Sequence, residues 1–421
     1  MELEVRILGS GREVGRAAIA IGSGDKYLLL DYGVIFDEAD VPILPNHIQP
    51  NKVEALLITH AHLDHIGAAP MLYVSRKIPA YMTKFTRDVA PLMLTDFLKI
   101  SGYYLPYEAQ EVEAFINSTN VIDYGEEVEV GDFRIKALNA GHIPGSAMFT
   151  IHYKEYSILY TGDVNTIETK LVRKPNLNGI EAETLIIEGT YGTSNHPPRN
   201  EVEDDFINSV KEVIEGGGVV LVPAFSLGRS QEILAVLAEK APHIDVRYDG
   251  MVKEILKLML RSRKFINRFD LLAKARKRFV EVKSFRTRKK VVKEPGVIVA
   301  SAGMLKGGPA VYYAKKLQGN SRNAIFLVSY QARGTPGRKL LEEGVLEENG
   351  PRVKAKVKWF DFSSHAGVNG LLGLVKKVKG LERVIVVHSE PETGEAFSKL
   401  IKSEVGVDVI YPTNGDVIKL G

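Results

Sequence analysis

The sequence predicts an α/β fold made of two regions with different patterns. Up to about residue 185, short apolar and β-branched runs end at Gly, Asp or His, and few helical patterns interrupt them. From about residue 190, strands and helices alternate, and such βα repeats predict a mostly parallel sheet covered by helices. The 421 residues, of which 45% are hydrophobic, suffice for two domains with sizeable cores.

The first region is predicted to contain strands because its apolar runs are short and are closed by turn residues. Its first four strands are predicted at 3–10, 17–22, 26–33 and 53–60. Apolar residues at helical spacing then predict helices at 67–75 and 84–115. Strands are predicted to resume at 126–140, 147–153, 156–163 and 184–192.

The second region is predicted to alternate regularly, since each apolar run is followed by an amphipathic stretch. In chain order the prediction is helix 200–215, strand 217–225, helix 229–240, strand 244–250, a basic helical segment, strand 295–303, helix 309–318, strand 323–331 and helix 337–344. The last sixty residues add a segment at 356–367, helix 367–379, strand 382–390, a helix near 393–404 and strand 407–415.

Composition excludes several kinds of site. The chain has no cysteine, which excludes disulfides, thiolate zinc sites, iron–sulfur clusters and a cysteine nucleophile. Any metal must therefore be held by His, Asp or Glu. No run of about 18 apolar residues is present, and the charged N-terminus lacks the apolar run of a signal peptide. We therefore expect a cytoplasmic protein with no membrane partner.

Charge is distributed unevenly, although the formal net charge is only +3. Residues 251–290 contain 15 Lys and Arg but only three acidic residues. This asymmetry indicates a surface that meets something anionic. Four phenylalanines lie among these cations, and their helical spacing favours a core position over stacking on nucleic-acid bases: Phe265, Phe269, Phe279 and Phe285.

The strongest motif is His60-Ala61-His62-Leu63-Asp64-His65, which follows an apolar strand. Alternate residues of extended chain share a side, so His60 and His62 can bind one ion. Asp64 and His65 lie beyond a turn and can face a second ion. Imidazoles and carboxylates suit zinc, and two neighbouring ions can activate a bridging water. The sequence therefore predicts a two-zinc site.

The HxHxDH pattern resembles the signature of the metallo-β-lactamase superfamily, which implies an αββα sandwich. By this resemblance, Asp31 orients the metal-site loop, His142 completes the first set of ligands, and Asp163 bridges both ions. The first zinc is then held by His60, His62, His142 and Asp163. The second is held by Asp64, His65, Asp163 and one further histidine.

The chain after residue 192 resembles the β-CASP domain of nucleic-acid-processing members of that superfamily. Glu188, His365 and His388 match three motifs of the group, and 223–232 and 300–310 resemble two further segments. The resemblance implies that His388 completes the second zinc set, while Asp31, Asp64, Glu188 and His365 take catalytic roles. His365 would protonate the leaving oxygen or contact the scissile phosphate, with Glu188 in support.

The implied domain arrangement is a split metallo-β-lactamase domain, 1–188 plus 361–421, with a β-CASP α/β domain inserted at 189–360. Loops that precede helices expose backbone N–H groups, and hydroxyl groups beside His365 could also bind phosphate. The substrate-binding residues expected on these grounds are Ser226, Arg229, Ser301, Gly303, Ser363 and Ser364. One departure from the family pattern is Gly367, which stands where an acidic residue commonly follows His-Ala.

The function implied is a zinc-dependent ribonuclease that acts as an endonuclease and/or a 5′-to-3′ exonuclease. Hydroxide held by two metals attacks phosphorus and leaves 5′-phosphate and 3′-hydroxyl ends. The resemblance is nearest to archaeal homologues of the cleavage and polyadenylation specificity factor nuclease, of the short type without KH domains. Single-stranded RNA is the expected partner, and a homodimer and an RNA-processing or decay complex are also expected. The alternatives are an RNase J-like 5′-to-3′ exonuclease, a DNA-processing nuclease, a catalytically dead scaffold and a small-molecule hydrolase.

Overall fold

A computed structural model describes residues 2–420, which form two compact units. The first unit takes in the chain up to Glu168, then Lys174–Asn195, and the chain from His365 onward. The second unit contains Thr169–Arg173 and His196–Ser364. The chain therefore leaves the first unit twice, first for the short stretch Thr169–Arg173 and then for His196–Ser364, and it returns at His365. The domain bounds inferred from the sequence stay predictions.

The secondary structure is as follows. The strands are β1 (Leu3–Gly9), β2 (Ala18–Ser23), β3 (Lys26–Leu30), β4 (Ile35–Phe36), β5 (Pro42–Ile43), β6 (Val53–Leu57), β7 (Ala80–Met82), β8 (Thr119–Val121), β9 (Glu127–Val130), β10 (Phe133–Asn139), β11 (Ala147–Tyr153), β12 (Tyr156–Tyr160), β13 (Thr184–Glu188), β14 (Val219–Pro223), β15 (Val246–Asp249), β16 (Val280–Glu281), β17 (Gly296–Ala300), β18 (Ala324–Leu327), β19 (Lys356–Trp359), β20 (Arg383–Val387), β21 (Asp408–Ile410) and β22 (Val417–Leu420). The α-helices are α1 (Leu63–Ile66), α2 (Lys84–Ser101), α3 (Ala109–Asn117), α4 (Arg199–Glu215), α5 (Arg229–Lys240), α6 (Val252–Leu260), α7 (Phe269–Arg278), α8 (Phe285–Val291), α9 (Gly308–Leu317), α10 (Pro336–Glu342), α11 (Val368–Lys377) and α12 (Pro391–Val405). Short 3₁₀ helices occupy Pro50–Lys52, Ala69–Tyr73, Gly102–Tyr104 and Arg263–Phe265.

The first unit is built on two seven-stranded sheets. Their strand orders are β22-β1-β2-β3-β6-β7-β8 and β21-β20-β13-β12-β11-β10-β9. Alternate residues of each strand point to opposite faces, so each sheet presents an apolar face to the other. One buried cluster joins the two sheets, with Val5 and Leu28 from one and Phe149 and Ile385 from the other.

Helices cover the outer faces of these sheets. Leu374 of α11 and Phe397 of α12 pack against Leu159 and Val384 of the second sheet. On the side of the first sheet, α2 contacts β8 and packs beside α1 and α3. The unit therefore has four layers, which confirms the predicted αββα sandwich.

The second unit is built on one six-stranded sheet in which every pairing is parallel, in the order β16-β15-β17-β14-β18-β19. Its central strands β14, β17 and β18 are apolar and fully buried, as a parallel sheet covered by helices requires. Leu221 and Ile298 pack against Tyr313 and Leu317 of α9, and α5 is buried along most of its length. This confirms the predicted α/β domain with alternating strands and helices.

Several elements differ from the sequence-based expectations. The helical pattern at 84–115 is two helices, because α2 ends before Gly102 and α3 starts only after Pro106. The pattern at 67–75 forms a 3₁₀ helix, and the short helix α1 before it was not predicted. Strands such as β7, β8 and β22 have only three or four residues, too few for an alternating pattern to be recognised. Among the helices described, none combines the length and apolar character needed to cross a bilayer.

Gly33 fixes how closely the chain after β3 approaches the loop that carries the HxHxDH motif. A Cβ atom at this position would lie 1.7 Å from the backbone oxygen of Asp64, which no side-chain movement can relieve. The backbone N–H of Ala17 donates to the same Asp64 oxygen at 2.7 Å. The motif loop is therefore held by backbone contacts that tolerate no side chain at position 33.

We predict that Gly33→Ala lowers the free energy of unfolding by more than about 1 kcal/mol, because overpacking forces the backbone to shift. The matched control is Gly373→Ala on α11, where an added Cβ meets nothing within 4 Å. That change should raise stability by about 0.5–1 kcal/mol. Urea unfolding of both variants is the measurement, and equal stabilities would contradict the prediction.

Candidate metal centre

The HxHxDH motif lies where the chain leaves β6 and turns into α1. His60 is fully buried, His62 immediately precedes α1, and Asp64 and His65 lie in its first turn. The extended backbone at His62 (φ −70°, ψ 148°) puts the turn between the two pairs of side chains. This is the local geometry that the spacing of the motif predicts.

A first group of metal-ligand side chains consists of His60, His62, His142 and Asp163, whose candidate ligand atoms all lie within 4.8 Å of one another. His62 Nδ1 lies 3.0 Å from His60 Nε2 and 3.3 Å from His142 Nε2. His142 comes from the loop after β10 and Asp163 from the loop after β12. The structure thus brings together the four residues expected at the first ion.

A second group consists of Asp64, His65, Asp163 and His388, under the same 4.8 Å limit. His65 Nε2 lies 3.3 Å from Asp163 Oδ2, and His388 Nε2 lies 3.4 Å from Asp64 Oδ2. His388 follows β20, which pairs in parallel with β13, so the returning chain delivers it to this edge of the second sheet. The four residues expected at the second ion are also together.

The chemistry of these donors fits divalent metal ions. His65 Nε2 and Asp163 Oδ1 are buried and make no hydrogen bond, which is costly for polar atoms unless a cation or proton meets them. A set of imidazoles and carboxylates without thiolates is typical of hydrolytic zinc sites. Asp163 belongs to both groups, so its two oxygens can serve two ions. Zinc and the number of ions remain part of the proposal below.

Asp31 lies behind the ligands, with its carboxylate fully buried. It accepts hydrogen bonds from the Thr59 backbone N–H at 2.8 Å and from the Tyr160 hydroxyl at 2.9 Å. Its Oδ2 lies 2.8 Å from His65 Nδ1. A carboxylate that contacts Nδ1 fixes the orientation of the His65 ring, so that Nε2 points toward the other candidate ligands. The contacts are those of a positioning residue, the role that the resemblance implies.

Glu188 and His365 form a pair at the edge of the centre. His365 Nδ1 lies 2.9 Å and 3.0 Å from the two carboxylate oxygens of Glu188. Glu188 Oε1 also accepts the backbone N–H of Val164, next to Asp163, at 2.8 Å. His365 Nε2 is 3.9 Å from Asp163 Oδ2. The pair therefore points one imidazole nitrogen toward the metal-ligand residues.

The buried carboxylates govern the charge state of the histidines. Burial lowers the pKa of His365, but Glu188 and Asp163 outweigh it and raise the pKa to about 9. Burial likewise opposes a charged His65, yet Asp163, Asp31 and Asp64 raise its pKa well above the usual range. His60 is different, because burial and the neighbouring histidines lower its pKa. Metal binding through His65 must therefore displace a proton from that ring, whereas His60 is already neutral.

Three residues that support the centre were not identified from the sequence. The Thr59 hydroxyl bonds to Asp31 and lies 3.0 Å from His60 Nδ1. The Thr190 hydroxyl lies 3.1 Å from His388 Nδ1, and Tyr160 bonds to Asp31. Thr59 and Thr190 each adjoin a motif, which could have indicated them. Nothing in the sequence distinguishes Tyr160 from a core residue.

The residues expected to bind substrate belong to the second unit. Ser226 and Arg229 follow β14, Ser301 and Gly303 follow β17, and these adjacent parallel strands end at one edge of the sheet. An added Cβ at Gly303 would touch the backbone N of Phe225, so the two loops meet. The Gly228 backbone N–H already donates to Gln231 Oε1 at 2.9 Å, which leaves one donor fewer for an anion.

Ser363 and Ser364 are held by arginines of the same unit. The Arg229 guanidinium donates to the Ser364 hydroxyl at 3.3 Å, while Arg199 donates to the backbone oxygen of Ser363. The structure thus brings Arg229 and Ser364 together. Contact of any of these six residues with phosphate stays a prediction.

Three family models match successive parts of the chain. The Metallo-beta-lactamase superfamily matches residues 11–224, the Beta-Casp domain matches 230–340, and the Zn-dependent metallo-hydrolase RNA specificity domain matches 350–412. The first model alone covers half of the chain. The second and third cover most of the remainder.

Curated relatives are similar over the whole chain. RNase aCSPSF2 of Saccharolobus solfataricus is 52% identical, over 100% of this chain and 86% of its own length. Probable RNase MJ4 of Methanocaldococcus jannaschii is 36% identical, over 99% and 100%. Transcription termination factor FttA of Pyrococcus horikoshii is 35% identical, over 99% and 71%.

A solved structure shares the fold. It is the crystal structure of a protein of unknown function from Enterococcus faecalis, with a TM-score of 0.62 and 15% identity over the full length of both chains. At this identity the likeness concerns the fold alone.

We predict that Asp163→Asn lowers the bound metal by more than one ion per chain, because Asp163 belongs to both four-residue groups. His62 belongs to only one group, so His62→Ala should lower the bound metal by one ion per chain. His47→Ala, at an exposed histidine outside both groups, is the matched control and should retain full metal. Elemental analysis of the purified variants is the measurement. Equal losses for Asp163→Asn and His62→Ala would show that Asp163 is not shared.

Proposed function

The chain belongs to the metallo-β-lactamase superfamily and to its β-CASP group, and we propose that it is a zinc-dependent ribonuclease like the archaeal RNases that it resembles. The family resemblance inferred from the motifs is therefore confirmed, and with it a metal-dependent hydrolase. The observation that carries the proposal is the pair of four-residue ligand groups that share Asp163, with the Glu188–His365 pair beside them.

The substrate class is supported by the relatives and by charge. Two relatives similar over nearly the whole chain bear the name RNase, and one family model carries RNA specificity in its description. The strongly basic segment at 251–290 suits a polyanionic substrate. A catalytically dead scaffold is disfavoured because the residues of both ligand groups are present and clustered. A small-molecule hydrolase would leave the basic segment unexplained.

The chain's own residues account for the remaining chemistry. His60, His62, His142 and Asp163 would hold one zinc ion, and Asp64, His65, Asp163 and His388 the other. When bound, the ions supply Lewis acidity and a water of lowered pKa. Asp31 holds the His65 ring in place. Water first loses a proton to solvent, the resulting hydroxide adds to phosphorus, and the bond to the 3′-oxygen breaks. That oxygen takes a proton from His365 or from water, and His365 regains its proton from solvent. The products carry a 5′-phosphate and a 3′-hydroxyl.

Glu188 has a specific part in this scheme. Both its oxygens face His365 Nδ1, which directs the other nitrogen away from Glu188 and stabilises the protonated ring. Glu188 is buried, so its negative charge acts on His365 with little screening by solvent. His365 therefore carries a proton on Nε2, the ring nitrogen that faces Asp163.

The proposal also covers cleavage mode, oligomeric state, partners and location, on which the two ligand groups give no information. It includes endonuclease and/or 5′-to-3′ exonuclease cleavage, a homodimer, a partner complex for RNA processing or decay, and a cytoplasmic location. The RNase J-like alternative, a mainly 5′-to-3′ exonuclease, has the same ligand set and differs in product lengths. Cleavage of DNA is a further alternative that uses the same chemistry.

The test is incubation of the zinc-loaded protein with single-stranded RNA that carries a 5′-monophosphate and a label at its 5′ end. Discrete labelled fragments are expected for the endonuclease. Labelled mononucleotide from the first time point, without intermediate lengths, would favour the RNase J-like alternative. A single-stranded DNA of the same sequence tests the third candidate. His62→Ala excludes a contaminating nuclease, and absence of any cleavage would contradict the proposal.

We predict that His365→Gln lowers kcat about 10²–10⁴-fold, because the leaving oxygen loses its proton donor. Metal content should stay at the wild-type level, since His365 lies outside the two four-residue groups. In an RNA analogue, sulfur can replace the 3′-oxygen at the cleavage site, and the resulting thiolate leaves without being protonated. The His365→Gln variant should therefore recover most of its activity on this analogue. Equal loss on both substrates would contradict the role of His365.

A further inference from the structure

The basic segment forms one edge of the second unit. It runs through α6 and α7 into β16, the edge strand of the six-stranded sheet, and then into α8. Exposed cations stand at the end of α7, before α8 and along α8: Arg276, Lys277, Arg278, Lys283, Arg286, Lys289 and Lys290. We call these residues, together with Phe285, Tyr312 and Lys316, the β16-edge surface.

Most of this positive charge is not neutralised within the unit. Among the residues that the structure describes, no acidic group lies within ion-pair distance of Lys277, Lys283 or Arg286. Arg276 approaches Glu281 only at 3.7 Å, and Lys290 approaches Glu294 at 3.6 Å. An uncompensated patch of this size destabilises the isolated unit by self-repulsion. It indicates a partner that brings negative charge.

Helix electrostatics explains only part of the pattern. Cations at the end of α7 complement the helix dipole and need no partner for that reason. Arg286, however, lies in the first turn of α8, where acidic side chains are favoured, and α8 has no acidic residue there. Lys283 lies just before that turn. These two cations are placed against the local preference.

Phe285 distinguishes the β16-edge surface from an ordinary charged face. Phe265 and Phe279 of the same segment are only 8% and 5% exposed, whereas Phe285 is 55% exposed. The ring of Phe285 packs against Tyr312 with centroids 5.3 Å apart. Lys289 Nζ lies 5.0 Å from the Phe285 centroid, and Lys316 Nζ lies 6.0 Å from that of Tyr312. A supported aromatic ring is thus exposed between cations.

A partly buried ion pair holds this surface in place. Asp249, at the end of β15, is fully buried and accepts from Arg288 Nε at 2.7 Å. It also accepts from the Tyr313 hydroxyl at 2.8 Å. Arg288 belongs to α8 and Tyr313 adjoins Tyr312 on α9, so one carboxylate ties both helices to the sheet. The ring and the cations around it are therefore organised before any ligand binds.

We propose that the β16-edge surface binds single-stranded RNA, with a base stacked on Phe285 and the backbone phosphates paired with Lys283, Arg286 and Lys289. Cations beside exposed aromatic rings are the combination that binds single strands without sequence preference, because every base has a stacking face. A duplex keeps its bases paired and offers none to the ring. The inference rests on the proposed RNA substrate and names a place where the chain captures it.

The test measures binding rather than cleavage. Anisotropy of labelled oligoadenylate gives Kd in the His62→Ala background, which leaves the RNA intact. Phe285→Ala should weaken binding at least about fivefold, which corresponds to one stacked base. Phe285→Leu keeps apolar contact with Tyr312 but cannot stack, and should weaken binding as well. Phe285→Trp should bind at least as tightly as the parent.

An abasic oligomer of the same length separates stacking from charge. Phe285→Ala should leave its affinity unchanged, since it has no base to stack. Lys283→Gln, Arg286→Gln and Lys289→Gln combined should weaken both oligomers and lower the slope of log Kd against log salt by about two. The matched control replaces three exposed lysines of the first unit by Gln: Lys77, Lys399 and Lys402. It should change neither the affinity for the two oligomers nor the salt dependence.

The outcomes separate the inference from the proposed function. Unchanged oligoadenylate affinity in both the Phe285→Ala and the triple variant overturns the inference, and an acidic protein then becomes the partner to test. Equal effects of Phe285→Ala on both oligomers overturn the stacking step. RNA cleavage by the zinc-loaded parent is assayed separately, so stacking without cleavage would contradict the proposed function alone.

Discussion

The structure of the first unit depends on burying negative charge where it can be neutralised. Asp31, Asp163 and Glu188 are almost completely excluded from solvent, a position that carboxylates tolerate only beside cations or strong donors. Each is met by histidines: Asp31 by His65, Glu188 by His365, and Asp163 by both groups. The surrounding fold must hold each histidine within a few ångströms of its carboxylate. If a histidine moves away, the buried negative charge is left without a partner. Metal ions and protons compete for the same positions.

Sheet topology meets this requirement by ending several strands at one place. In the second sheet, β12, β13 and β20 run parallel, so Asp163, Glu188 and His388 emerge from the same edge. In the first sheet, β3 and β6 run parallel and deliver Asp31 and the histidine motif. Asp31 and His388 both have left-handed backbone (φ 55° and 50°), a conformation that costs a non-glycine residue about 1–2 kcal/mol. That strain persists because the surrounding hydrogen bonds fix both residues.

The fold class and the clustering of the candidate ligand residues were predictable because their patterns are local. The HxHxDH motif spans only six residues, from the loop after β6 into α1. The alternating strands and helices of the second unit are long enough for their patterns to be recognised in the sequence. The supporting contacts were less accessible: Tyr160 is one buried aromatic among many, and only the packing of β12 shows that it meets Asp31. Helical spacing placed Phe285 with three other phenylalanines, and it could not show that α8 is only seven residues long and exposes its first ring. Boundaries such as the break at Gly102 depend on packing as much as on propensity.

The order of the chain has a consequence for synthesis on the ribosome. A nascent polypeptide that has emerged as far as Ser364 contains the first ligand group and the whole second unit, but neither His365 nor His388. The strands β20, β21 and β22, which complete both sheets, also come last. An unfinished chain therefore cannot assemble the second ligand group. If the protein cuts RNA as proposed, the message being translated is not exposed to the finished centre until His388 has been added to the chain.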